Sequence, residues 1–254
     1  MKNIRLIGRL DIKGENLIKG IQLEGLRVIG NPNEYAKLYY QQGIDELIYI
    51  DSVASLYGRN NLDEIVSKTT SEVFVPVTVG GGIRTLNDID TLLKSGADKV
   101  AINTEGVKNP NFFKEAVETF GAQSIVGSIV AKKISCNNWE VYTDGGREKT
   151  GLNVENWLKV LEDKGIGELL ITSVDRDGTK SGFDYELVSK VSKICNVPLI
   201  ISGGAGEKKH LLKILKNNNL DAIAVGSILH FKNQTVKSLK SFLINNNIKL
   251  RFVE

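Results

Sequence analysis

The 254-residue chain has little that is chemically special: two cysteines, two histidines, one methionine and four prolines. Cys136 and Cys195 stand alone, without a C-x-x-C pair or a neighbouring histidine pair, so two reduced cytosolic thiols are expected and no disulfide or zinc site. His210 and His230 are too far apart for zinc-ligand spacing. No apolar run approaches the roughly 18 residues of a membrane span, and no signal-peptide pattern opens the chain. Charge of one sign is also missing, with 33 basic residues against 30 acidic ones and no like-charged block. Nucleic acid, a membrane, a metal and an organic cofactor therefore have no support, and a cytoplasmic location is expected.

What the chain does have is alternation. Short β-rich runs fall at 4–11, 46–51, 76–80 and 98–103, and again at 124–131, 168–174, 197–202 and 221–226. Between them lie amphipathic stretches such as NEYAKLYYQQG and NVENWLKVLEDKG, each closed by the glycine that stops a helix in the left-handed region. Strand–helix alternation at this spacing implies right-handed βαβ units on a parallel sheet. Eight units in a chain of this length make an α/β fold, a single (β/α)₈ TIM barrel. An open doubly wound sheet would need a G-x-G-x-x-G after the first strand, and there is none.

The second half echoes the first. GIDELIYIDSVA resembles GIGELLITSVDR, TVGGGI resembles IISGGAG, and ADKVAINT aligns with LDAIAVGS. The offset is about 120 residues, far beyond a solenoid repeat, so two half-barrels of about 1–121 and 122–254 are expected. Glycine turns after strands let backbone N–H groups approach an anion, and the following helix dipole favours it. Each half supplies one such turn: Gly82 with Asn103 and Thr104, and Gly204 with Gly226 and Ser227. A long ligand with a phosphate at each end would span the two.

RLDIKG, the Lys19 loop, TVGGGIRT, GADKVAINT, ITSVDRDGTKSGFD and ISGGAG together resemble the cyclase subunit of imidazole glycerol phosphate synthase, the HisF family, nearly end to end. The resemblance implies a barrel that docks a HisH-like glutaminase on its N-terminal face and takes ammonia through its interior. It implies two catalytic aspartates at equivalent strand ends. Asp11 matches the first, and Val130 stands at the second. Lys19, Asp51, Asp177 and Gly178 join the two glycine loops as implied substrate- and phosphate-binding positions. Gly8-Arg9 replaces the Pro-Cys usual before Leu-Asp. IQLEGLRVIGNPNEYAKLYY and SVASLYGRNN instead resemble the cyclase-like WbuZ group, which occurs with a glutaminase and a sugar amidotransferase of surface-polysaccharide pathways.

Valine cannot donate, accept or orient water, and loss of an acid–base group typically removes a factor of about 10²–10⁴. Asp51, Asp175 or Asp177 could substitute only from the same rim. By period-two alternation Arg5, Ile7, Arg9 and Asp11 face the barrel interior, where Arg9 would pair Asp11 and lower its pKa. Arg5, Glu46, Lys99 and Glu168 begin inward-facing strand positions and should form a neutral ring, since unpaired burial would be costly. In the family that ring is an ammonia gate. Thr78, Ala101, Ser128 and Thr172 above it are small, which leaves room for a small neutral molecule. Asp98 matches a glutaminase-interface position. Three readings follow: an ammonia-passing partner of a glutaminase and a sugar amidotransferase, a true cyclase and lyase of histidine biosynthesis, and the sister phosphoribosyl isomerase, against which Val130 counts equally.

Overall fold

The computed structural model describes residues 3–54 and 62–251. Most of the SVASLYGRNN segment, residues 55–61, lies outside the described residues.

The strands and helices run in the order β1 (Arg5–Lys13), β2 (Asn16–Ile21), β3 (Glu24–Gly30), α1 (Pro32–Gln41), β4 (Glu46–Asp51), α2 (Leu62–Thr70), β5 (Val77–Gly80) and α3 (Leu86–Lys94). There follow β6 (Lys99–Ile102), α4 (Thr104–Lys108), α5 (Asn111–Phe120), β7 (Ile125–Ser135), β8 (Asn138–Thr143), β9 (Glu148–Asn153), α6 (Val154–Asp163) and β10 (Glu168–Ser173). The last are α7 (Tyr185–Ile194), β11 (Leu199–Ser202), α8 (Lys208–Asn217), β12 (Ala222–Val225), α9 (Ser227–His230) and α10 (Val236–Asn245). Among the described residues eight parallel strands pair in the order β10-β11-β12-β1-β4-β5-β6-β7, and β7 pairs back to β10. The sheet is closed, and the fold is a (β/α)₈ barrel, as the alternation implies.

Helix boundaries follow local chemistry. Asn31 caps α1 by accepting from the amides of Asn33 and Glu34, with Pro32 in the first turn, where its missing N–H costs nothing. Asn153 caps α6 in the same way. Gly43 and Gly165, at φ 83°, leave these two helices through the left-handed region.

The barrel has two apolar layers. Outward strand residues such as Leu6, Leu47, Val79 and Ile129 pack against the helices. Ile7, Ile48, Ala101, Val126, Leu170, Ile200, Ala222 and Ala224 form a separate cluster inside the barrel. Removing one such inner side chain, as in Leu170→Ala, costs about 2–5 kcal/mol by transfer and cavity terms.

Two antiparallel hairpins depart from the expected plan. β1 and β7 run past their expected ends, and each turns back into a pair of short strands, β2–β3 and β8–β9. Both rise over the C-terminal mouth, where the candidate site lies.

Candidate active site at the barrel mouth

The four charges at the lower end form the expected ring. Arg5 Nη1 donates to both carboxylate oxygens of Glu46, at 2.9 and 3.1 Å, and Nη2 donates to Glu168 Oε1. Lys99 Nζ donates to Glu168 Oε2 at 2.8 Å and stands 3.6 Å from Glu46 Oε2. Each cation therefore touches both carboxylates, so no buried charge is left uncompensated. Burial works against the Arg5 charge, but Glu168 and Glu46 outweigh it and hold the guanidinium firmly protonated.

Asp98, beside this ring, is exposed, and one carboxylate oxygen accepts from Val77 N at 2.8 Å. Asp45 does the same for Leu6 N and Asp221 for Leu199 N. An aspartate just before a strand that ties down the start of the neighbouring strand is thus a recurring device of this barrel.

The interior above the ring is not the open passage that its small residues suggest. Ile7, Ile48, Val126, Leu170 and Ile200 alternate with Thr78, Ala101 and Ser128. Thr172, the fourth small position, is occupied: Arg9 Nη1 donates to its Oγ1 at 2.6 Å and to Ser202 Oγ at 3.1 Å. Arg9 does face inward as alternation implies, and its guanidinium reaches across β12 to β10 and β11.

At the mouth Arg9 Nε donates to Asp11 Oδ1 at 2.8 Å, and Lys19 Nζ donates to Asp11 Oδ2 at 2.6 Å. Lys19 also binds both oxygens of Asp177, at 2.8 and 3.1 Å. All four groups are buried. Burial pushes the Asp11 carboxyl up, yet Arg9 and Lys19 more than offset this and hold it well below the usual carboxylate range. Burial likewise lowers Lys19, and its two aspartates more than restore the charge. Asp11 is thus a poor base as it stands, as Arg9 in the sequence implies.

The rim carboxylates that could substitute are engaged. Asp51 Oδ1 accepts from Val53 N and Ala54 N, both at 2.9 Å, and Asp175 Oδ2 accepts from Lys133 N. Around Val130 the wall is apolar. Val130, Val174 and Leu23 gather within 3.5 Å of where a Cβ on Gly146 would stand. Leu23 comes from the tip of the β2–β3 hairpin, where it and Gln22 adopt positive φ.

The structure brings the predicted phosphate positions together in two groups. Gly82, Asn103 and Thr104 line a chamber of about 100 Å³ that also holds Asp51, Val130 and Arg9 and descends to Ala101 and Leu170. Asn103 Nδ2 donates to the carbonyls of Ser128 and Tyr142, while its buried Oδ1 has no partner among the described residues. Gly204, Gly226, Ser227, Gly178, Asp177 and Lys19 line a cleft of about 10 Å³, with Arg9 again in its wall. Gly204, at φ 107°, lies so close to Gly182 O that any side chain there would collide with backbone.

Sequence reading missed three features: the hairpins, the Arg9 contacts to Thr172 and Ser202, and buried His230. His230 Nδ1 is 2.7 Å from Tyr39 Oη, the rings stack, and burial lowers its pKa to about 4. Only the weak alternation of LIKGIQLEGLRVIG, residues 17–30, bears on the first hairpin in the sequence.

Residues 5–235 match the family described as "Histidine biosynthesis protein". The chain is 59% identical over 207 residues to a Legionella pneumophila protein named imidazole glycerol phosphate synthase subunit HisF, covering 82% of this chain and 98% of that one. Proteins of the same name from Hydrogenobaculum sp. (strain Y04AAS1) and Bacillus cereus (strain AH187) are 44% and 42% identical, each over 97% of this chain and 98% of the relative.

Proposed function

The chain belongs to the histidine biosynthesis protein family, and from that membership we propose that it is the barrel subunit of an imidazole glycerol phosphate synthase. In this reading a glutaminase docks on the lower face, ammonia enters at the charge ring, and the reaction occurs at the C-terminal mouth. One observation carries it: the closed Arg5–Glu46–Lys99–Glu168 ring and the chamber at Gly82 lie at opposite ends of one barrel interior. Such a ring does not repel a neutral molecule like ammonia, whereas an ion would meet charge of both signs. The relatives' names favour this reading. Asp11 then serves as the acid–base group, Lys19 orients it, and the two glycine loops hold the anionic ends of the substrate.

Val130 and the Arg9–Asp11 pair favour a second reading, in which the barrel pairs with the glutaminase but passes ammonia on to a sugar amidotransferase of surface-polysaccharide synthesis. One assay separates them. The purified chain is mixed with its cognate glutaminase, and glutamine hydrolysis is followed with and without the synthase's bisphosphate substrate. Stimulated hydrolysis with brisk cyclisation supports the first reading. Stimulation with no cyclisation, together with a gain of roughly 10²-fold or more in a Val130→Asp, Arg9→Cys variant, supports the second. No complex and no stimulation would remove both.

A further inference from the structure

Arg9 divides the mouth into unequal parts. Its guanidinium stands in the wall of both the Gly82 chamber and the Gly204 cleft. The chamber holds about 100 Å³ and the cleft about 10 Å³. A space of that second size accommodates about one water molecule. A phosphate, with oxygens on every side of phosphorus, cannot enter until the wall moves.

The wall is firmly held. Arg9 is buried and anchored on Asp11, Thr172 and Ser202 at once. Charge does not draw an anion into the cleft either. Its two cations, Arg9 and Lys19, are already matched by Asp11 and Asp177. The chamber differs in size, and in it the buried Asn103 Oδ1, without a hydrogen-bond partner among the described residues, is an acceptor awaiting a donor. A buried polar atom left without a partner costs about 1–3 kcal/mol, which a ligand N–H or O–H would relieve.

We propose that Arg9 is a specificity-determining gate: the mouth binds one phosphate-like anion with a nearby N–H or O–H donor in the Gly82 chamber, and a second phosphate enters the Gly204 cleft only by displacing Arg9 from Asp11. The inference rests on the proposed function in one respect, that the mouth holds a phosphorylated ligand. It adds that occupancy of the second loop and release of the Asp11 carboxylate are a single event. A one-phosphate ligand leaves Asp11 locked, and a two-phosphate ligand must free it.

The test uses inorganic phosphate, ribose 5-phosphate and fructose 1,6-bisphosphate as probes, with the intact chain and no glutaminase. Calorimetry and crystals grown with phosphate are expected to give one phosphate per wild-type chain, at Gly82, Asn103 and Thr104. Arg9→Ser leaves Asp11 paired with Lys19, so no buried charge is orphaned. It should bind two phosphates and raise the preference for the bisphosphate over the monophosphate about tenfold, a 1.4 kcal/mol change. Arg9→Lys keeps the charge but cannot reach both hydroxyls, and it should move the same way by less. Two phosphates on the wild-type chain, or an unchanged stoichiometry and preference in both variants, would overturn the gate and leave the phosphate reading standing. Failure of every form to bind phosphate would overturn both.

Discussion

The barrel carries two clusters of the same composition, two cations and two carboxylates, at opposite ends. The lower one draws Arg5, Glu46, Lys99 and Glu168 from β1, β4, β6 and β10, and closes into a ring. The upper one links Arg9, Asp11, Lys19 and Asp177 in an open line, from β1, β2 and the loop after β10. Exposure separates them. The side chains of Arg5 and Lys99 are 25% and 19% accessible, against 6% and 4% for Arg9 and Lys19. A partner lost from the ring can be replaced by water after a small swing of a long side chain. A partner lost from the upper line leaves a cation in the interior. Solvent can therefore re-partner the charges of the ring, whereas the upper cluster fixes the state of one carboxylate.

The largest expected effect follows from that contrast. Asp11→Ala strips Arg9 of its carboxylate and Lys19 of one of its two, and should cost about 3–5 kcal/mol in urea unfolding. Glu168→Gln keeps an acceptor and leaves Arg5 and Lys99 near solvent, so roughly 1–3 kcal/mol is expected. Equal losses in the two variants would erase the distinction drawn from burial.

How far these clusters could be read in the sequence differs for the same reason. The ring was legible because its members begin strands, and period-two alternation places Arg5, Glu46, Lys99 and Glu168 on one face of the sheet. Pairing of Arg9 with Asp11 was legible because they are two residues apart on one strand. The bonds from Arg9 to Thr172 and Ser202, and from Lys19 to Asp177, join residues more than 150 positions apart. They depend on barrel closure and on how far a long side chain extends, and no local pattern encodes either. The hairpins escaped because β3 is exposed along most of its length and carries Gly25, so hydrophobic alternation is too weak to announce a strand. The eight barrel strands, buried on both faces, announced themselves.

A second prediction sharpens the upper end through pH. His230 packs beneath this cluster among Tyr39, Tyr35, Lys19 and Asp11. Burial, reinforced by Lys19, lowers its pKa from 6.5 to about 4. A folded-state value below the unfolded one means that the unfolded chain binds the proton first. His230's contribution is complete above about pH 6.5 and is lost as the pH falls toward 4, by about 3 kcal/mol at roughly 1.4 kcal/mol per pH unit. Asp11, depressed instead from an ordinary value near 4, gives up its share only at lower pH. Unfolding free energy measured between pH 7 and 4.5 should thus fall in the wild type and stay nearly level in His230→Gln. A slope that survives the substitution would assign the acid sensitivity to carboxylates.

The smallest effect concerns the lower end, where Asp98 has two possible duties. Its bond to Val77 N repeats what Asp45 and Asp221 do elsewhere in the barrel, which makes it a strand-start anchor. Its exposed place beside the ring suits contact with a docked glutaminase. Asn at this position still offers a carbonyl oxygen to Val77 N but removes the charge. Asp98→Asn should therefore change stability by no more than about 0.5 kcal/mol, the range of ordinary surface substitutions. If the charge contacts the glutaminase, the same variant should weaken the complex by several-fold in a binding titration, while Asp221→Asn, with the same anchoring geometry, should leave it intact. Loss of binding in both would mean that the strand ends, and not the Asp98 charge, shape the docking face.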